Sequence, residues 1–113
     1  MRALLLAALA GPAWAQEPVL PRFVDESAAS GVESRYEGDW EFMVGGGVAA
    51  FDCSGDGFPD LAFAGGAGPA SLWVNRSARG GPLRFERAVA GIEAAGVTGV
   101  YPLDVDGDGL PDL

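Results

Sequence analysis

The chain has 113 residues, sixteen acids against seven bases, a formal charge of −9, a single cysteine and no histidine. All seven bases are arginines and none builds a basic patch, which excludes a phosphate-neutralising nucleic-acid surface. The missing histidine removes the commonest general base and the usual zinc or copper ligand.

Met1-Arg2 followed by the apolar run Ala3 to Ala10, the break Gly11-Pro12 and the small-x-small site Ala13-Trp14-Ala15 has the order of a secretory signal peptide. Residues 1–15 are expected to be cleaved, leaving a secreted, periplasmic or cell-surface protein. That run is shorter than the roughly 20 apolar residues of a bilayer span, and no later segment reaches that length. Residues 16–46 form an N-terminal segment in which Trp40 to Val44 reads as a strand entering a turn at Gly45-Gly46-Gly47.

From residue 47 the chain becomes repetitive. Residues 47–61 and 99–113 are identical at nine of fifteen positions, 52 residues apart. A weaker echo lies upstream of each copy: Arg22-Phe23 leads to Ser30-Gly31-Val32, and Arg84-Phe85 leads to Ala90-Gly91-Ile92. A period of this size is that of a propeller blade or similar repeat. Residues 47–98 are the first unit and residues 99–113 open a second.

Within the first unit, short strands are expected at Val48 to Phe51, Leu61 to Ala64, Ser71 to Asn75 and Leu83 to Glu86. Gly65 to Pro69 reads as a turn, Arg76 to Pro82 as a loop and Ala88 to Ala95 as a helical turn. Four short antiparallel strands per unit make an all-β chain, a partial β-propeller. Trp73 is expected between blades, and Asn75-Arg76-Ser77 has the form of an N-glycosylation acceptor.

Between the first two strands of each unit sit the carboxylates. Asp52, Ser54, Asp56 and Asp60 occupy positions 1, 3, 5 and 9 of the first loop; Asp104, Asp106, Asp108 and Asp112 occupy them in the second. Seven of the sixteen acids lie in these two loops, with no base among them. Alternate side chains of a tight loop converge, and the glycines at positions 4 and 6 permit the turn. Converging carboxylates repel unless a cation joins them, and this many hard oxygens suit calcium better than magnesium. The carbonyls of Phe58 and Leu110 at position 7 are further candidate ligands. Ser54 leaves the first loop one carboxylate short and therefore weaker.

An EF-hand is disfavoured: it needs a glutamate at position 12 and flanking helices, whereas position 12 of the first loop is Phe63 in a strand-like run. Cys53 reads as a small loop filler, with a free thiol, an intermolecular bridge and a distant partner all open.

The pattern D-x-[DS]-x-D-G-x-P-D-L after G-V-x-x-[FL] resembles the calcium loop of FG-GAP and VCBS-type repeats, the blades of integrin-alpha-like propellers. The Phe23 to Val32 segment, with Leu72-Trp73-Val74-Asn75 and Phe85, resembles bacterial relatives of cartilage acidic protein. The resemblance implies one calcium per loop and an exported scaffold for adhesion or recognition of a protein or glycan ligand, non-catalytic in this chain. A propeller needs 4–8 blades, so an N-terminal fragment is expected, its remaining blades elsewhere, with the Phe23 segment a possible ring-closing strand. The alternative is a propeller enzyme with its active site in those other blades; no nucleophile sits beside a base here.

Overall fold

The computed structural model describes residues 19–113, so the expected signal peptide lies outside the described residues. A single 3-10 turn, Trp40–Phe42, precedes six strands: β1 Val48–Phe51, β2 Asp60–Phe63, β3 Gly66–Pro69, β4 Ser71–Asn75, β5 Phe85–Ala88 and β6 Ala95–Val97. The chain is all-β, as its turn-rich, alternating sequence requires.

Strands β1, β2, β4 and β5 form one antiparallel sheet in that order. With β3 set aside, each strand pairs with the next along the chain, which is the meander of a propeller blade. The register pairs Phe51 with Asp60, Leu61 with Trp73 and Asn75 with Phe85. An isolated antiparallel bridge joins Leu103 to Asp112. Those residues stand 52 positions beyond Phe51 and Asp60, so the second repeat opens in the register of the first.

Small side chains make the core. Ala49, Ala62 and Leu72 are buried, with Phe51, Ala88, Ile92 and Val100 packed against them. Every residue of β4 except Val74 is buried, so this strand is covered on both faces. Trp73 is buried, and its indole N–H donates to the Ser71 hydroxyl at 3.1 Å, which satisfies the one polar atom of the ring.

Four local expectations are corrected. The stretch Trp40 to Val44 is a 3-10 turn and not a strand: Gly38, at φ 135°, redirects the chain, and the N–H groups of Phe42 and Met43 then close back on Asp39 and Trp40. Gly65 to Pro69 does bend, with Gly68 N–H donating to Gly65 C=O, but β3 also pairs with β6. The stretch Ala88 to Ala95 makes no helical turn, since β6 is claimed by that pairing and Ala70 N–H reaches Ala94 C=O. The fourth strand also starts two residues later than expected. Arg84 is held by Ser77 Oγ, and Leu83 N–H is taken by the Glu26 carboxylate, outside the ladder.

The N-terminal segment lies along this blade. Phe85 N–H donates to Ser30 C=O at 2.7 Å, and Glu37 bridges Gly66. Gly31 and Gly91, equivalent in the upstream echo, share the left-handed conformation at φ 84° and 80°. Phe23 lies in no strand and is 95% exposed. Tyr101, Leu103 and Leu110 are also exposed, so apolar surface remains open at the second repeat. Among the described residues no helix is long and apolar enough to cross a membrane.

Candidate metal loops

The two acidic loops share most of their hydrogen bonds, although Asp56 N–H donates to Asp52 where Asp108 N–H donates to Asp106. In the first, the Asp52 carboxylate accepts the N–H groups of Gly55 at 2.8 Å and Gly57 at 2.8 Å. In the second, Asp104 accepts Gly107 at 2.7 Å and Gly109 at 3.0 Å. Asp56 accepts Phe58 N–H and Asp108 accepts Leu110 N–H, two residues on in each case. At position 9, Asp60 accepts Cys53 N–H and Asp112 accepts Val105 N–H. The aspartate at position 1 thus caps the turn, the one at position 5 fixes its exit and the one at position 9 ties the end of the loop to its start.

Glycines at positions 4 and 6 make this wrap possible. Gly55 and Gly57 have φ 74° and 85°, and Gly107 and Gly109 have φ 79° and 87°. A Cβ at any of the four would meet nothing within 4 Å, so conformation rather than space demands glycine. Gly57→Ala is therefore expected to cost about 1–2 kcal/mol, the penalty of a left-handed L-residue, measured by urea unfolding. A loss near zero would mean that the loop re-forms with another backbone.

In the second loop, one oxygen each from Asp104, Asp106 and Asp108 lies within 4.8 Å of the others, and all three residues are exposed. Among the described residues this is the one such cluster. The Leu110 carbonyl accepts no hydrogen bond among the described residues, and neither does that of Phe58. Each stays open to a further partner. The oxygen donors of the second loop, hard and negatively charged, fit a calcium-sized cation.

The first loop brings fewer carboxylates together. Asp52 and Asp56 form no comparable cluster, because the position that completes the second loop's trio as Asp106 is Ser54 here, and Asp60, at position 9, faces inward and is fully buried. One Asp60 oxygen accepts Cys53 N–H at 3.0 Å, the Cys53 thiol at 3.0 Å and Ser54 N–H at 2.9 Å; the other accepts Asn75 N–H at 2.7 Å. Burial works to raise the Asp60 pKa, but the donors from Asn75, Cys53 and Ser54 outweigh it and hold the carboxyl below its ordinary value. Ser54 turns its hydroxyl toward Asp52 at 3.5 Å. The Phe58 ring lies under the Arg79 guanidinium, 5.6 Å from its centroid.

Cys53 is exposed and unpaired. Partial desolvation, then the hydrogen bond to Asp60 and that carboxylate's charge, push its thiol from 9.0 up to about 11. Thiolate is the reactive form, so alkylation at pH 8 is expected to run about a hundredfold slower in the folded chain than in urea. Equal rates would refute the thiol–carboxylate contact.

Asn75 was legible as the end of a strand and as a glycosylation acceptor, yet it is also a structural partner of the first loop. It is buried, its amide donates to Pro59 C=O at 2.9 Å, and its backbone N–H holds Asp60. An amide so engaged is closed to glycosylation. A polar residue ending an otherwise apolar strand, opposite an aspartate that begins one, was the available signal.

Comparison with known families gives one match: a family described as an FG-GAP-like repeat matches residues 52–113, from the first aspartate of the first loop to the last residue of the second. No curated protein matches the chain, and no solved structure does.

Proposed function

The chain belongs to the FG-GAP-like repeat family, and from that premise we propose that it is part of an exported, calcium-binding repeat scaffold for adhesion or ligand recognition, of the type found in VCBS repeats and cartilage acidic protein relatives. The observation that carries this reading is the convergence of Asp104, Asp106 and Asp108 within 4.8 Å. Asp112 and the Leu110 carbonyl would complete the donor set. Asp52, Ser54, Asp56, Asp60 and the Phe58 carbonyl form the corresponding but poorer set in the first loop.

The residues position rather than react. Each carboxylate is held at its root by the N–H groups of its own loop, which orients the remaining lone pairs without moving a proton. A bound cation supplies the positive charge that such a cluster lacks. The scaffold reading assigns this chain no catalysis, and the Cys53 thiol beside Asp60 is pushed up to about 11 rather than activated. Export rests on the Met1 to Ala15 pattern. Further blades would cover the apolar surface around Tyr101, Leu103 and Leu110, and the ligand would be a protein or glycan.

Calorimetric titration tests the core of this reading. Calcium is expected to bind the chain saturably, and Asp104→Ala/Asp108→Ala to abolish the tighter component. Heats indistinguishable from dilution for the native chain would return both loops to ordinary Asp-Gly turns.

A further inference from the structure

On the side of the blade formed by the 3-10 turn is a pocket of about 360 Å³ lined by Tyr36, Trp40, Phe42 and Met43 together with Glu37 and Asp39. We propose that this pocket binds a primary alkylammonium group, the chemistry of a lysine side chain or a free aliphatic amine. It goes beyond the calcium reading and does not depend on it.

The pocket is shaped by glycines. A Cβ at Gly38 would overlap the Phe42 ring, and one at Gly45 would overlap the Tyr36 hydroxyl. The rings occupy the space those side chains would need. Their faces attract cations through the ring quadrupole, tryptophan most strongly. Trp40 is 80% exposed, which is unusual for so large an apolar side chain without a partner.

The charge around it has one sign. Glu37 and Asp39 line the pocket, and Glu41 lies in the 3-10 turn between the lining residues Trp40 and Phe42. Among the described residues the one ion pair is Arg76 with Glu86, so these three carboxylates have no cationic partner. Glu37 also lines the adjoining cleft, where Arg35, Arg87 and Glu33 lie, without forming an ion pair there. The chain contains no lysine, so no side-chain ammonium of its own can fill the pocket.

The Tyr36 hydroxyl adds a separate observation. It is buried and has no hydrogen-bond partner, the one such side-chain atom among the described residues. Buried polar groups are nearly always satisfied; this one packs against Gly45, where a Cβ would overlap it, so a ligand reaches it once the ring turns outward. An ammonium N–H would donate to that oxygen while its alkyl stem lies against the rings.

The test is a titration of the isotopically labelled full chain with n-butylammonium at low ionic strength, followed by amide and indole resonances. Saturable shifts at the Trp40 indole and at Gly38 and Gly45, with none from n-pentanol, are expected. Trp40→Ala should weaken binding about threefold to thirtyfold, the range of exposed to desolvated cation–π contacts. Tyr36→Phe should weaken it too while leaving thermal stability equal or higher, since it deletes an unsatisfied group. Glu37→Gln/Asp39→Asn provides a variant that spares the aromatic packing and should lose affinity. Equal shifts from n-pentanol would overturn the proposal by showing an apolar groove without charge selectivity. So would an n-butylammonium response that none of these substitutions changes, or no saturable response at all.

Discussion

Replacing Asp60 with alanine is expected to lower the stability of the chain by about 3–5 kcal/mol, measured by urea unfolding in EDTA so that no cation contributes. The size follows from what is left behind. Asp60 is fully buried and takes three backbone N–H groups and a thiol. Truncation strips those donors of their acceptor, at about 1–3 kcal/mol for each that water cannot reach. Asn75 N–H is the one deepest in the sheet, whereas Cys53 and Ser54 regain water, which keeps the total below the sum. Asp60→Asn should recover only part of the loss, because one end of its amide presents a donor to donors. The equivalent Asp112→Ala should cost about 1 kcal/mol, since that half-buried carboxylate holds a single N–H. The same site gives a pH signature. The Asp60 carboxyl is held below its ordinary 3.8, so its stabilisation is complete above that value and disappears as the pH falls through the folded-state pKa. A loss under about 1 kcal/mol for Asp60→Ala would show that the first loop is not organised around this residue.

That role divides what the sequence disclosed from what it hid. The repeat, its 52-residue offset and the all-β blade were legible because glycine, proline and aspartate punctuate the chain locally. Strands β1 and β4 stood where their short apolar runs predict, and β2 begins one residue before its run, at Asp60. The failures share a cause. Gly66–Pro69 is rich in glycine and carries no side-chain pattern, so its pairing with Ala95–Val97 rests on backbone hydrogen bonds that composition does not announce. Trp40–Phe42 has strand-like residues, but the left-handed Gly38 before them sets the chain direction. The site followed the same division. Spacing placed eight side chains in two equivalent loops, and the two loops share the hydrogen bonds from positions 4 and 6 to position 1 and from position 7 to position 5. Spacing could not reveal that position 9 of the first loop turns inward to Asn75, because that contact spans fifteen residues and depends on the β2–β4 register.

The two repeats thus use one motif under different constraints. In the first, Cys53 and Ser54 supply neutral side-chain donors to Asp60 and Asp52, where the second has Val105 and a further carboxylate, Asp106. Neutral donors let a carboxylate loop hold its shape by internal hydrogen bonds. An additional charge makes the loop depend on something positive from outside.

Calcium is accordingly expected to stabilise the chain chiefly through its second loop. At a hundred times the dissociation constant the gain is about 2.7 kcal/mol, by mass action on the folded state alone. It should appear as a rise in melting temperature that EDTA reverses. Amide exchange at Gly107, Gly109 and Leu110 should slow most, because their acceptors Asp104 and Asp108 are the side chains a cation would fix. The decisive comparison is the calcium increment, not the absolute stability. Asp104→Ala also deletes the acceptor for two glycine N–H groups and lowers the cation-free melt on its own. Asp108→Asn retains shape and an acceptor oxygen while removing one charge, so it should leave the EDTA melt nearly unchanged and shrink the calcium increment. Ser54→Asp should do the reverse in the first loop, adding a fourth carboxylate and with it a second calcium increment. If EDTA and calcium give the native chain the same melting temperature, the carboxylates are turn caps and nothing more. If the increment survives Asp108→Asn intact but vanishes with Asp56→Asn, calcium binds and the order of the two loops is reversed.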